Sequence, residues 1–201
     1  MTPSPSPGGI VLVGGRSRRM GGGAKPLLEV GGRTLLNRML TALQDAGSAP
    51  IIAVGPLLDA TADVRWVRED PPFTGPVAAI AAALAALTEP IPPWMLVLAG
   101  DLPHAARLVP TLIGATASAS ADDDAAVFTA HGHPQWLAGA YRTRALREAL
   151  RAQEGALDDA SCRAVLGGLR IAWLSDDDGV TADIDTPADL ARMRAVFEEE
   201  R

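Results

Sequence analysis

The chain has 201 residues, 48% of them apolar, which suits one compact domain with a sizeable core. It carries 18 Lys and Arg against 24 Asp and Glu, a net charge of −6, which argues against a general nucleic-acid binder, since such binding needs many cation–phosphate contacts. The single cysteine, Cys162, excludes an internal disulfide framework and a cysteine-based zinc site.

Taken in chain order, Met1 to Gly9 is rich in Pro, Ser and Gly and has neither a basic start nor a long apolar stretch. It does not read as a signal peptide, and residues 1–8 are expected to form a flexible N-terminus. Ile10–Val13 reads as a buried strand. It runs into "GGRSRRMGGGAK" at 14–25, where Arg16, Arg18, Arg19 and Lys25 concentrate positive charge on an acidic chain. Thr34–Ala46 reads as a helix, Ile51–Val54 and Val64–Val67 as strands, and Pro76–Leu87 as an alanine-rich helix too short to span a membrane. Strand Met95–Leu98, helix Ala105–Ala117 and strand Ala125–Phe128 follow. A turn at His131-Gly132-His133-Pro134 leads into strand Trp136–Tyr141. Helix Thr143–Gln153, strand Leu169–Leu174 and helix Pro187–Glu199 complete the pattern. The Asp122–Asp124 and Asp176–Asp178 runs read as solvated loops. The four tryptophans, Trp66, Trp94, Trp136 and Trp173, read as core. No repeat and no membrane span is evident, so a cytoplasmic protein is expected.

Alternating strands and helices predict an α/β domain with a largely parallel sheet covered on both faces. Ligands of such sheets bind beyond the carboxyl ends of the strands. The segments there are the Gly/Arg loop, Arg68-Glu69-Asp70 with Phe73-Thr74-Gly75-Pro76, Ala99-Gly100-Asp101-Leu102-Pro103, and Asp183-Ile184-Asp185-Thr186-Pro187. The Gly/Arg loop is neither a P-loop, since Lys25 is followed by Pro26, nor a dinucleotide fingerprint, since its glycine spacing differs. Its glycines and cations would still suit a phosphate cradle; a solvated surface loop is the alternative. Asp101 could hold Mg²⁺ together with substrate phosphates, or cap a helix starting near Pro103. Asp183 and Asp185 alternate and should point the same way, as a second metal contact requires. Thr186-Pro187-Ala188-Asp189 also has the form of a helix start, so part of this pattern could be capping.

Several of these segments resemble the molybdenum cofactor guanylyltransferases, within the nucleotidyltransferase superfamily of Rossmann-like fold. They are Leu12-Val13-Gly14-Gly15, Arg19-Met20-Gly21-Gly22, Lys25-Pro26-Leu27-Leu28, "GGRTLL" (31–36), "EDPPFTGPVAAI" (69–80), "LAGDLP" (98–103) and "DIDTPADL" (183–190). The resemblance spans about residues 9–195. It implies a single three-layer domain with a nucleotide half over about 1–103 and an acceptor half beyond. It places Leu12, Gly14 and Gly15 against the base and ribose, and Arg19 and Lys25 against the triphosphate. Asp70 and Gly75 fall on the nucleotide side, and Asp101 and Asp185 on Mg²⁺. The implied reaction transfers GMP from GTP to a molybdopterin-type acceptor, with pyrophosphate released and transient contact with cofactor-delivering proteins. The chain departs from the family pattern at Val13, Ala24 and Ala79. Its aspartates at 183 and 185, where guanylyltransferases often carry asparagine, resemble the cytidylyl branch and leave CTP, or another phosphorylated acceptor, as an alternative. A non-catalytic nucleotide-binding module is the alternative of another class.

Overall fold

The computed structural model describes residues 6–14, 24–153 and 155–199. Its centre is a seven-stranded sheet. In chain order the strands are β1 (Gly8–Leu12), β4 (Ile51–Val54), β5 (Arg65–Val67), β6 (Trp94–Ala99), β7 (Ala125–Ala130), β8 (His133–Arg142) and β9 (Ile171–Ser175). Numbers β2 (Glu29–Val30) and β3 (Arg33–Thr34) belong to a separate small hairpin. The spatial order is β5-β4-β1-β6-β8-β7-β9, with β8 antiparallel to both neighbours and every other pairing parallel. β1 begins at Gly8, so the extended chain starts within the stretch expected to be flexible.

Helices cover both faces, because every central strand is apolar on both sides. Val11, Leu96 and Leu98 pack with α1 (Leu35–Asp45) and α3 (Ala105–Ser118). Ile10, Ile52 and Val97 pack on the other face with α2 (Pro76–Ala85), α4 (Thr143–Arg151) and α5 (Cys162–Leu166). Ile10, Leu96, Val97 and Leu98 are fully buried. A third, smaller core joins Val30 and Leu35 to Ile184 and Met193, seating α6 (Pro187–Glu199) on the β2–β3 hairpin. Among the described residues no helix is long and apolar enough to cross a membrane.

Several sequence expectations change here. β8 runs from His133 rather than Trp136, because His131 (φ 51°) and Gly132 (φ 77°) supply the two positive-φ residues of a tight hairpin turn. The β2–β3 hairpin has the same signature in Gly31 and Gly32 (φ 56° and 75°), hidden by strands of two residues each. Helix α5 was not foreseen. Neither aspartate run is wholly solvated. Asp124 pairs with Arg170 at 3.0 Å, and Asp176 accepts from the backbone N–H of Val180 and Thr181 at 2.7 and 2.8 Å. Trp173 is 51% exposed on the edge strand β9 rather than buried in the core.

The chain builds outward from β1 to β4 and β5, then crosses back to β6 on the other flank of β1. Such a reversal opens a crevice beyond the carboxyl ends of the two strands. Gly100 closes its floor, donating its N–H to the Leu12 carbonyl at 2.9 Å. A Cβ at Gly100 would stand 2.9 Å from that same oxygen and 3.2 Å from Pro26 Cγ. Gly114, in α3, has nothing within 4 Å of its Cβ position. The two glycines should therefore respond oppositely to alanine in urea denaturation. Gly100→Ala should destabilise by about 1–3 kcal/mol through overpacking, and Gly114→Ala should stabilise by about 0.5–1 kcal/mol through helix propensity. Equal effects would contradict the close approach at Gly100.

Candidate active site

Three segments meet at the β1/β6 crevice. The first is a single 3-10 turn, Lys25–Leu27, with Pro26 fixing its start and the Leu28 N–H closing it on the Lys25 carbonyl at 2.9 Å. The second is the chain leaving β6, which carries Asp101. The third is the extended segment ahead of α6, where fully buried Ile184 anchors into the small core. Alternation in an extended chain turns the neighbours of a buried residue the other way. Asp183 and Asp185 accordingly meet Asp101, with one carboxylate oxygen from each lying within 4.8 Å of the others.

Lys25 sits among them. Its Nζ lies 3.3 Å from Asp101 Oδ2 and also pairs with Asp185 Oδ1. Burial alone would lower the Lys25 pKa; the hydrogen bond that Lys25 donates to Asp185 and the charges of Asp101 and Asp185 outweigh it and raise the pKa. The Asp183 carboxyl is raised above the ordinary range, first by the desolvating protein beneath it and then by the charges of Asp185 and Asp101. Two like charges about 5 Å apart repel by about 3 kcal/mol at an effective dielectric of about 20, and by less at a solvent-open rim. One ammonium against three carboxylates leaves the described part of the site with excess negative charge.

The capping alternatives are accounted for elsewhere. At the start of α6, Asp189 accepts from the Thr186 N–H at 2.9 Å and Thr186 Oγ1 accepts from the Asp189 N–H at 3.2 Å, forming a reciprocal capping box. That box uses neither Asp183 nor Asp185. Helix α3 begins at Ala105 with His104 as its N-cap, so Asp101 does not cap it. Phe197 of α6 ties the pieces together. His104 stacks on its ring at 5.3 Å between centroids, and the Arg38 guanidinium lies 4.1 Å from the ring centre.

Beside the cluster lies a cavity of about 800 Å³, at the upper end of ligand-pocket sizes. Leu12, Gly14, Lys25, Gly75 and Asp101, all named in the sequence, are among its lining residues. Asp70 does not; it is exposed, and its neighbours Arg68 and Glu69 form the wall instead. The reason is local: Glu69 accepts from the Phe73 N–H at 2.9 Å and folds the segment inward at 69 rather than 70. Gly15 and Arg19, with Arg16 and Arg18, lie outside the described residues. Phe73, from a segment the edge rule marked, also lines the cavity, together with Leu137 and Asp159, which the sequence did not point to. Asp159 gets there through a backbone bond, its N–H donating to the Thr74 carbonyl at 2.8 Å, a contact between loops that no local pattern announces.

Three carboxylates offer hard oxygen donors, the set that suits Mg²⁺ or a similar cation. Removing one should relieve repulsion and weaken cation binding together. Asp183→Asn is expected to raise the melting temperature of the metal-free protein by about 1–3 °C and to lower Mg²⁺ affinity severalfold by calorimetry. A variant with both quantities unchanged would contradict the cluster.

The family model of the MobA-like NTP transferase domain matches residues 9–172. A molybdenum cofactor guanylyltransferase from Bradyrhizobium sp. (strain ORS 278) is 37% identical over 150 residues, covering 71% of this chain and 69% of that protein. A protein named "probable molybdenum cofactor guanylyltransferase" from Pelotomaculum thermopropionicum is 31% identical, covering 96% of this chain and 94% of its own. Among solved structures, the molybdopterin-guanine dinucleotide biosynthesis protein A of Archaeoglobus fulgidus superposes with a TM-score of 0.69 at 21% identity, covering 95% and 98% of the two chains. The 2-C-methyl-D-erythritol 4-phosphate cytidylyltransferase of Thermus thermophilus gives 0.68 at 22% identity over 96% and 99%, a likeness of fold. With the family model covering residues 9–172, the chain belongs to the MobA-like NTP transferase family.

Proposed function

We propose that this chain transfers GMP from GTP to the phosphate of a molybdopterin-type acceptor, releasing pyrophosphate. The observation that carries the reading is the Lys25–Asp101–Asp183–Asp185 cluster at the mouth of the cavity. The whole chain acts as one nucleotidyltransferase domain, with the nucleotide held by about residues 1–103 and the acceptor by the rest. Its setting is the cytoplasm, with transient contact to proteins that deliver the acceptor.

An acceptor phosphate oxygen attacks the α-phosphorus, a new phosphoanhydride bond forms, and the bond to the β-phosphate bridging oxygen breaks with its electron pair leaving on pyrophosphate. No covalent enzyme intermediate is needed, because the acceptor phosphate is itself the nucleophile. The task of the protein is alignment and charge stabilisation. Leu12, Gly14 and Gly15 hold base and ribose, with Gly75, and Arg68 and Glu69 in place of Asp70, on the same side. Lys25 and Arg19 neutralise the phosphates and the departing pyrophosphate. On nucleotide binding Lys25 exchanges part of its carboxylate pairing for phosphate oxygens. Asp101 and Asp185, with Asp183 beside them, hold Mg²⁺, which when bound neutralises triphosphate charge and polarises the α-phosphate.

CTP is the second reading, favoured by one feature: aspartates at both 183 and 185. A thermal-shift panel of GTP, CTP, ATP and UTP with Mg²⁺ separates the two. GTP should give the largest stabilisation, and a clear preference for CTP would overturn the choice of base. Asp101→Ala should lower pyrophosphate release with the preferred nucleotide and a molybdopterin acceptor by roughly two to three orders of magnitude. Full release by this variant would refute the metal role of Asp101. No release by the wild type with any of the four nucleotides would favour a binding module instead.

A further inference from the structure

A second cavity, of about 690 Å³, opens at the opposite edge of the sheet from the reaction centre. Its walls are Ile91-Pro92-Pro93, helix α4, and the residues that lead into β7 and β9. Pro93 runs straight into β6, and Asp101 follows the far end of that strand. Six residues of strand put the two places about 20 Å apart. The second cavity is no extension of the first, and the two share no lining residue.

Five arginines line it, Arg142, Arg144, Arg147, Arg151 and Arg170, against two acids, Asp124 and Glu148. The chain as a whole has a net charge of −6, so the sign is locally reversed. Two of the five are matched. Arg170 pairs with Asp122 and Asp124, each at 3.0 Å, and Arg144 lies 3.7 Å from Glu148. The other three are held differently. Half-buried Arg142 donates to the Asp123 carbonyl at 2.7 Å and to the Ser120 carbonyl at 2.9 Å, with its guanidinium 4.6 Å from the Trp94 ring centre. Half-buried Arg147 donates to the Leu84 carbonyl at 3.3 Å. Carbonyl oxygens satisfy these N–H groups and fix the side chains, but they leave the full charges in place. Among the described residues no carboxylate pairs with Arg142, Arg147 or Arg151.

Arg144, Arg147 and Arg151 stand three and four residues apart, on one face of α4. Like charges at that spacing oppose the helix, and an anion that bridges them removes the opposition. The recess has the size of a small-ligand pocket, and Ile91 with Pro92 gives it an apolar side. Guanidinium groups engage phosphate oxygens through paired N–H bonds. We propose that this cavity is a second anion site, which binds a small molecule bearing two or more linked phosphates. Arg142, Arg147 and Arg151 are its ligands, with Arg142 already oriented by Trp94 and the two carbonyls. The site is distinct from the transfer centre and does not depend on the reaction proposed above. Its ligand is either a free inorganic polyphosphate chain or the phosphate arm of a nucleotide.

The test is a titration of ¹⁵N-labelled protein with inorganic tripolyphosphate, followed by amide shifts, without divalent cations and at constant ionic strength. Shifts at 142–151 should saturate independently of any at Lys25. Arg147→Gln and Arg144→Gln remove the same charge at different places on α4. Arg147→Gln should weaken binding at 142–151 about tenfold, and Arg144→Gln, whose arginine is already paired, should stay within about threefold of wild type. Binding at Lys25 should be the same in all. If Arg147→Gln does not fold, exposed Arg151→Gln takes its place, with the same loss expected. Shifts at 142–151 that sodium chloride reproduces, or that do not saturate, overturn the site. Equal weakening by Arg144→Gln and Arg147→Gln also overturns it, since a diffuse field would act that way. A parallel titration with GTP separates the two sources, and either result upholds the site: tighter binding than tripolyphosphate at these amides identifies a nucleotide, and binding no tighter identifies the phosphate chain alone.

Discussion

Everything at the reaction centre depends on one imbalance of charge. Lys25 is shared between Asp101 and Asp185, and Asp183 stands beside them without a cation of its own among the described residues. The pairing is strong enough to raise the Lys25 pKa despite burial, while burial first, and the neighbouring charges of Asp185 and Asp101 after it, raise Asp183. A folded protein keeps such an arrangement only if the surrounding structure over-determines it. It is also the arrangement that lowers its energy most when a divalent cation and an anionic ligand arrive together, the cation going to the carboxylates and the phosphates to the lysine.

The surrounding structure does over-determine it, and by inexpensive means. Asp101 is fixed because Gly100 lies hard against the Leu12 carbonyl at the sheet reversal. Asp183 and Asp185 are fixed because Ile184 between them is wholly buried. Lys25 is fixed by a proline-started turn whose next residues form the hairpin on which α6 sits. Phe197, far along the chain, receives His104 and Arg38 and so couples the Asp101 loop, the hairpin and α6. Three remote segments are thereby held against one another by a buried isoleucine, a backbone hydrogen bond and the stacked and cationic contacts of Phe197.

Much of this was legible in the sequence, for identifiable reasons. The buried strands and long helices show as apolar runs and periodic faces, the carboxyl-edge rule then points to the loop after β1 and the segments around 68–76, 99–103 and 183–187, and the family resemblance names single residues within them. The Asp183-Ile184-Asp185 alternation correctly gave two carboxylates facing one way. What stayed hidden depends on pairing rather than pattern. Over Trp136–Tyr141 the antiparallel β8 reads as an apolar run like the strands that pair parallel. The two-residue strands of the small hairpin have no period to detect. Asp159 enters through a backbone bond to a distant loop, and Glu69 takes the inward position expected of Asp70 because of a single turn-closing hydrogen bond. Trp173 carries the same residues around it as a core strand would, and only its position at the sheet edge exposes it.

The central claim is that the carboxylates of 101, 183 and 185 hold a divalent cation against the phosphates of a bound nucleoside triphosphate. Mn²⁺ electron paramagnetic resonance with GTP tests it directly, since Mn²⁺ takes the same oxygen donors as Mg²⁺. The wild type should bind Mn²⁺ tightly with phosphorus hyperfine coupling, and both should be lost in the Asp101→Asn, Asp185→Asn double variant while the variant remains folded. Mn²⁺ that binds equally well to the double variant, or that binds the wild type without phosphorus coupling, would contradict it.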